Sequence, residues 1–336
     1  MLSCSLMFSV ARTVAQKLQA SCVKLQGSHN HQASKTAWYL GILWSLAPKA
    51  FGVGFWSFAI SAFAAEVPIE LHQGELHVQT WVNGSGPFTF KLDTGFGVTT
   101  IHPNLVSSLK LQQIGHTTII GIAGNEEAAT YSSAVFDFGG MSYEPRRVAV
   151  LPSDARRRRQ NRDGILGAGF FRRFVVEIDF ARRTIRLQEP EGFSYTGPGE
   201  VLPLEFKKAT PIIIAVIVPP GREAISGRFE IDTGCDDWLC LGHEFVAASR
   251  LLESTNAVSG DVRRGVGGSA QVEHGSLAEL RLGKLVVKRP STNFFLEGSP
   301  AGEGQAGHIG LGALQRFKII FDYSRNQMIL EPRNYE

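Results

Sequence analysis

Cysteine is scarce, at four in 336 residues, and Cys4 and Cys22 lie in a leading segment that the folded region does not need. A disulfide-built scaffold is thereby excluded. Cys235 and Cys240 remain, five positions apart in a strand-turn, and could pair in an oxidising compartment. No Cys-x-x-Cys, His-Glu-x-x-His or comparable cluster occurs, so neither a metal site nor a cofactor is expected. Long helical patterns are few. Proline is also limited, at 15 residues, while 43% of residues are apolar, which excludes a disordered or collagenous chain. What is abundant is Gly (36) and Phe (22), a balance that leans toward tightly turning β-structure.

Residues 1–65 contain no acidic side chain but five basic ones: Arg12, Lys17, Lys24, Lys35 and Lys49. They account for the formal charge of +3, because the remaining 271 residues carry 29 basic and 31 acidic groups. A body so close to neutral has no excess charge to drive binding to nucleic acid. From Ala37 to Ala65 the chain is almost wholly apolar, ending in Ser61-Ala62-Phe63-Ala64-Ala65 before Glu66. This reads as an export signal, with Lys49 as its positive end and Ala62 and Ala64 as the small residues before cleavage. A retained membrane anchor and an organellar transit peptide are the alternatives, the apolar stretch being longer than the roughly 20 residues needed to span a bilayer. An exported, periplasmic or secreted protein is expected.

After residue 66 the same signals occur twice in the same order. Phe88-Thr89-Phe90-Lys91-Leu92-Asp93-Thr94-Gly95 is answered by Gly227-Arg228-Phe229-Glu230-Ile231-Asp232-Thr233-Gly234. Gly121-Ile122-Ala123-Gly124 is answered by Gly265-Val266-Gly267-Gly268, both readable as hairpin tips. Gly164-Ile165-Leu166-Gly167 is answered by Gly307-His308-Ile309-Gly310, and Phe174 to Phe180 by Phe317 to Tyr323. The pattern predicts an all-β protein of two similar lobes, residues 66–197 and 198–336, related by internal pseudo-two-fold symmetry and joined by the turn-rich Tyr195 to Gly199. Short helices are expected at Asn104 to Leu109 and Glu244 to Leu252, with a turn near Phe170 to Arg173. On a two-fold axis Asp93 and Asp232 would meet, which gives a shared reason for an otherwise costly carboxylate after an apolar strand. Gly95 and Gly234 would allow close backbone approach, and Thr94 and Thr233 would hydrogen-bond across the axis.

Paired Asp-Thr-Gly motifs, each followed by a Gly-rich hairpin and an apolar-apolar-Gly segment, resemble the aspartic proteases, most closely the retropepsin-like branch in a single-chain, two-lobe form. The resemblance covers about residues 67–333. It implies an aspartic endopeptidase in which Asp93 and Asp232 share one proton and activate a water molecule, one carboxylate taking its proton while the other donates to the substrate carbonyl. It implies further that Gly121 to Gly124 and Gly265 to Gly268 are flap tips closing over an extended peptide or protein substrate, and that Asp236 helps to hold it. One chain would suffice for a complete site.

Three departures from the family pattern stand out. Phe96 and Cys235 follow the two motifs, where pepsins place a hydroxyl that favours the ionised dyad, so a less acidic dyad is expected. His308 replaces the first apolar residue of the second bracing segment and is read as a packed or hydrogen-bonded core histidine. Asp236 has only Gly97 as its counterpart, so the subsites would be asymmetric. Arg156 to Arg159, with Arg162, read as a solvated loop, and Trp238 as a core aromatic. The different-class alternative is a peptide-binding or regulatory module that keeps the cleft without turnover.

Overall fold

A computed structural model describes residues 64–121, 124–151, 162–266 and 268–333. The export or anchor segment up to Phe63, the Arg156 to Arg159 run and the tip residues Ile122, Ala123 and Gly267 lie outside the described residues. Among the described residues no helix is long and apolar enough to cross a membrane.

Strands dominate, and their alternation follows the sequence: in Ala64–His72 every second residue from Ala65 to Ile69 is buried, as a half-buried sheet requires. Each lobe is built on a meander. In the first, Glu75–Val82 pairs antiparallel with Ser85–Leu92, which runs parallel to Gly164–Leu166. The second repeats this with Thr210–Val218, Ile225–Asp232 and Gly307–Gly310. Both lobes therefore carry an apolar strand that runs into an Asp beside a buried parallel partner that runs into a Gly, the strands ending at Leu92 and Leu166 in the first lobe and at Asp232 and Gly310 in the second.

Strands from both halves also form one shared sheet, in the order Glu200–Pro203, Gln327–Pro332, Phe317–Asp322, Val175–Asp179, Thr184–Gln188 and Ala64–His72. At its centre Val175–Asp179 pairs antiparallel with Phe317–Asp322, and Glu177 faces Ile320. Beneath lies a continuous aromatic cluster in which Phe171 of one half meets Phe321 edge-on, with ring centroids 5.3 Å apart, and stacks on Tyr323 at 5.8 Å. Edge-on packing suits the ring quadrupoles, and these rings bury enough apolar surface to hold the halves as one core. Helices are few and short: Leu105–Ser108, Ala168–Arg173, His243–Ala248 and Leu311–Leu314. The helix expected to reach Leu252 stops at Ala248, where Arg250 turns left-handed (φ 48°) into a 3-10 turn over Leu251–Glu253.

Candidate active site

Asp93 follows the strand Ser85–Leu92, and Asp232 ends the strand Ile225–Asp232. The two loops cross. A Cβ on Gly234 would collide with the Asp93 carboxylate, and one on Gly95 would stand 2.6 Å from Asp232 Oδ1. Neither glycine has positive φ, so both are required by the close approach of the opposite carboxylate and not by a left-handed turn.

Four hydrogen bonds lock the crossing. Thr94 Oγ1 donates to Ile231 O (2.7 Å) and accepts from Thr233 N (2.9 Å). Thr233 Oγ1 in turn donates to Leu92 O (3.0 Å) and accepts from Thr94 N (3.0 Å). Both threonines are fully buried, so each hydroxyl spends its donor and an acceptor on the other lobe's backbone. The bracing segments complete the cradle. Asp93 N donates to Leu166 O (3.1 Å), Ala168 N to Phe96 O (2.8 Å) and Leu311 N to Cys235 O (2.7 Å). Gly167 and Gly310 lie so close to the loops after the Asp residues that a side chain at either would strike backbone carbonyls.

The charges around the two carboxylates differ. Lys91 points inward two residues before Asp93; its Nζ lies 3.7 Å from Asp93 Oδ2, donates to Gly234 O (2.6 Å) and pairs with Glu75 (3.0 Å). Glu75 also meets Arg162 at 2.8 Å and His77 at 3.1 Å. In the second lobe the position of Lys91 is taken by Glu230, and that of Ile165 by His308, each pair being adjacent in the parallel register. His308 Nδ1 lies 3.1 Å from Asp232 Oδ2, an ion-pair contact off the line of an aligned hydrogen bond, while Nε2 faces Pro300 O.

Those surroundings separate the two carboxylates. Burial, and then the charge of Asp232, push Asp93 up to about 7 against the pull of Lys91 and Arg162. Burial acts upward on Asp232 too, but the His308 contact and charge, Lys91 and the Gly234 N–H outweigh it and hold Asp232 down at about 2. His308, although burial disfavours its charge, is kept well above the ordinary histidine range by Asp232 and Cys235. These directions favour the proton on Asp93 and the negative charge on Asp232, with a cationic His308 behind it. Two adjacent carboxyl groups held in opposite protonation states can take a proton with one oxygen and give one with another.

Each half also carries a long hairpin. Gln113–Gly121 pairs with Gly124–Tyr131, and Val258–Gly265 with Gly268–Ser276. Gly124 (φ +147°) and Gly268 (φ +140°) occupy matching places at the tips, in a backbone region that side chains disfavour. The tips meet, since a Cβ on Gly121 would run into the Val266 carbonyl. Asp236 is exposed and packs against the Gly74 turn of the first lobe; Trp238 is half-buried beneath Arg316, 5.3 Å from its ring centroid. Cys235 and Cys240 are free thiols with sulfurs 4.0 Å apart.

Sequence reading brought out Asp93, Asp232 and the loop residues but passed over Lys91, Glu230 and Glu75, and it read Arg162 as part of a solvated loop, whereas the Arg162 side chain is buried against Glu75. A signal was present: Lys91 and Glu230 each stand two residues before an Asp, hence on the same face of a strand, where a charge must be buried and partnered.

A family model described as aspartyl protease matches residues 78–170. Among solved structures, the aspartic proteinase from Irpex lacteus matches with a TM-score of 0.53, covering 81% of this chain and 98% of that one at 14% identity. No curated protein matches the sequence. The fold is the two-lobed, all-β fold of that proteinase, and domain and fold together support a protease of the aspartyl type.

Proposed function

We propose that this chain, with the fold and domain of the aspartic protease superfamily, is an aspartic endopeptidase whose site is complete in one chain. The observation that carries the reading is the meeting of Asp93 and Asp232 across the locked threonine pair, in surroundings that favour one shared proton. Asp232, ionised beside His308, takes a proton from water as its oxygen attacks the peptide carbonyl carbon. Asp93 donates its proton to the carbonyl oxygen, giving a gem-diol. Collapse returns a diol proton to Asp93, Asp232 protonates the departing nitrogen, and the C–N bond breaks. No covalent intermediate forms.

The paired hairpins support a substrate held extended, since a peptide lying between them satisfies its backbone donors and acceptors as an added strand does. Their contact at Gly121 and Val266 means that they must part to admit it and then exclude water from the dyad. The experiment is cleavage of a mixed peptide library by the full chain between weakly acidic and neutral pH, beside Asp93→Asn and Asp232→Asn variants and with pepstatin. Cleavage lost in both variants and blocked by pepstatin supports the proposal. A folded chain that binds peptides without cutting them replaces it with a binding module.

A further inference from the structure

Three metal-ligating side chains stand together on the segment that follows the Asp232 loop. Cys235 Sγ and Cys240 Sγ are 4.0 Å apart, Cys240 Sγ is 3.5 Å from Asp237 Oδ2, and one ligand atom from each residue lies within 4.8 Å of the others. A tetrahedral zinc-class ion with metal–sulfur bonds of about 2.3 Å and metal–oxygen bonds of about 2.0 Å requires edges of about 3.8 Å between sulfurs and about 3.5 Å between sulfur and oxygen. The two separations from Cys240 Sγ match these edges to a few tenths of an ångström, and Cys235 lies within 4.8 Å of Asp237. We propose that Cys235, Asp237 and Cys240 bind a thiophilic divalent cation of the zinc class. The sequence, read for motif spacing, leads to the opposite expectation, because Cys-x-Asp-x-x-Cys is not a familiar ligand pattern; the fold brings the three donors together.

The backbone holds the donors in place. Cys240 sits within Leu239–Leu241, between Ser291–Phe295 and Gly307–Gly310, and is buried. Cys235 is fixed through its N–H on Asp232 O (3.3 Å) and its carbonyl on Leu311 N (2.7 Å). Around them lie partners of the kind that orient metal ligands: Asn293 Nδ2 donates to Cys240 Sγ (3.7 Å), and Arg263 Nε is 2.9 Å from Asp237 Oδ2. The Arg263 side chain is 32% exposed, so it has room to shift outward as a cation arrives. His308, 6% exposed, lies against Cys235 on the inner side of the cluster, but its Nδ1 is paired with Asp232 Oδ2 at 3.1 Å, so it stays with the dyad and is not counted among the ligands. Binding breaks two S–H bonds and forms two sulfur–metal bonds; both protons pass to solvent and nothing is oxidised or reduced. The proposal does not depend on whether the dyad cleaves peptides.

The test uses the full chain with Cys4→Ser and Cys22→Ser, kept reduced with a phosphine. It is titrated with Cd²⁺ for the ultraviolet thiolate charge-transfer band and with Co²⁺ for the intense visible bands of tetrahedral coordination. One ion per chain, displaced by Zn²⁺, is expected. Cys235→Ser combined with Cys240→Ser should abolish the thiolate band. Asp237→Asn, which keeps both thiols and the fold as read by circular dichroism, should weaken affinity by at least about 10-fold. The proposal is overturned if the parent shows no thiolate band, if the band survives the double serine variant, or if Asp237→Asn binds as tightly as the parent.

Discussion

Replacing Lys91 by Met removes the cation nearest the Asp93 carboxyl and keeps most of the apolar stem that fills its site. The ammonium lies 3.7 Å from Asp93 Oδ2. At an effective dielectric of about 20, unit charges at that separation interact by about 4 kcal/mol, which at about 1.4 kcal/mol per pKa unit sets a ceiling near three units. Because the ammonium is shared with Glu75 and the Gly234 carbonyl, we expect Asp93 to rise by about one to two units. The sign follows from the charge: without Lys91 the ionised form loses support, so Asp93 keeps its proton to higher pH. Asp232, which also feels Lys91, moves upward with it. Glu75 stays partnered by Arg162 and His77, so the fold tolerates the change, at a cost of about 1–3 kcal/mol for the unpaired Gly234 carbonyl. The assay is kcat/KM against pH with a fluorogenic peptide, which reports the ionisations of the free enzyme. An alkaline limb that stays where it is in the parent, or that moves down, would refute the reasoning.

In the parent, activity should hold through weakly acidic solution and fall as pH rises past about 7, because Asp93 then has no proton to donate; a rate that keeps climbing above that pH contradicts the assignment. Thr94→Val leaves Thr233 N and Ile231 O unpaired at the buried crossing, and urea unfolding should show a loss of about 2–4 kcal/mol. Gly95→Ala sets a methyl group 2.6 Å from Asp232 Oδ1. The carboxylate must shift, and kcat should fall by about 10²-fold with an unchanged circular dichroism spectrum.

Much of this architecture was legible because the chemistry is local. Phe88 to Gly95 and Gly227 to Gly234 are apolar strands ending in Asp-Thr-Gly, and both strands appear where alternation places them. The threonine bonds follow from the same pairing, since a buried hydroxyl near a two-fold axis finds its partner across it. The shared sheet was less legible: Val175–Asp179 reads as a buried strand, but nothing in its own residues names Phe317–Asp322 as neighbour. The helix after His243 was overextended because Leu251 and Leu252 continue the apolar period past the point where Arg250 turns the chain. The charged partners were hardest. Lys91 and His308 acquire meaning only when the parallel register sets Lys91 beside Ile165 and Glu230 beside His308. That asymmetry gives two identical motifs different electrostatic surroundings.

The most direct measurement of the central claim is single-turnover cleavage of one peptide by the full chain and by Asp93→Asn and Asp232→Asn, each shown to be folded. The account predicts a fall of at least about 10²-fold in either variant, since each removes one half of a coupled proton transfer. Cleavage that persists in either folded variant at a rate near that of the parent would contradict it.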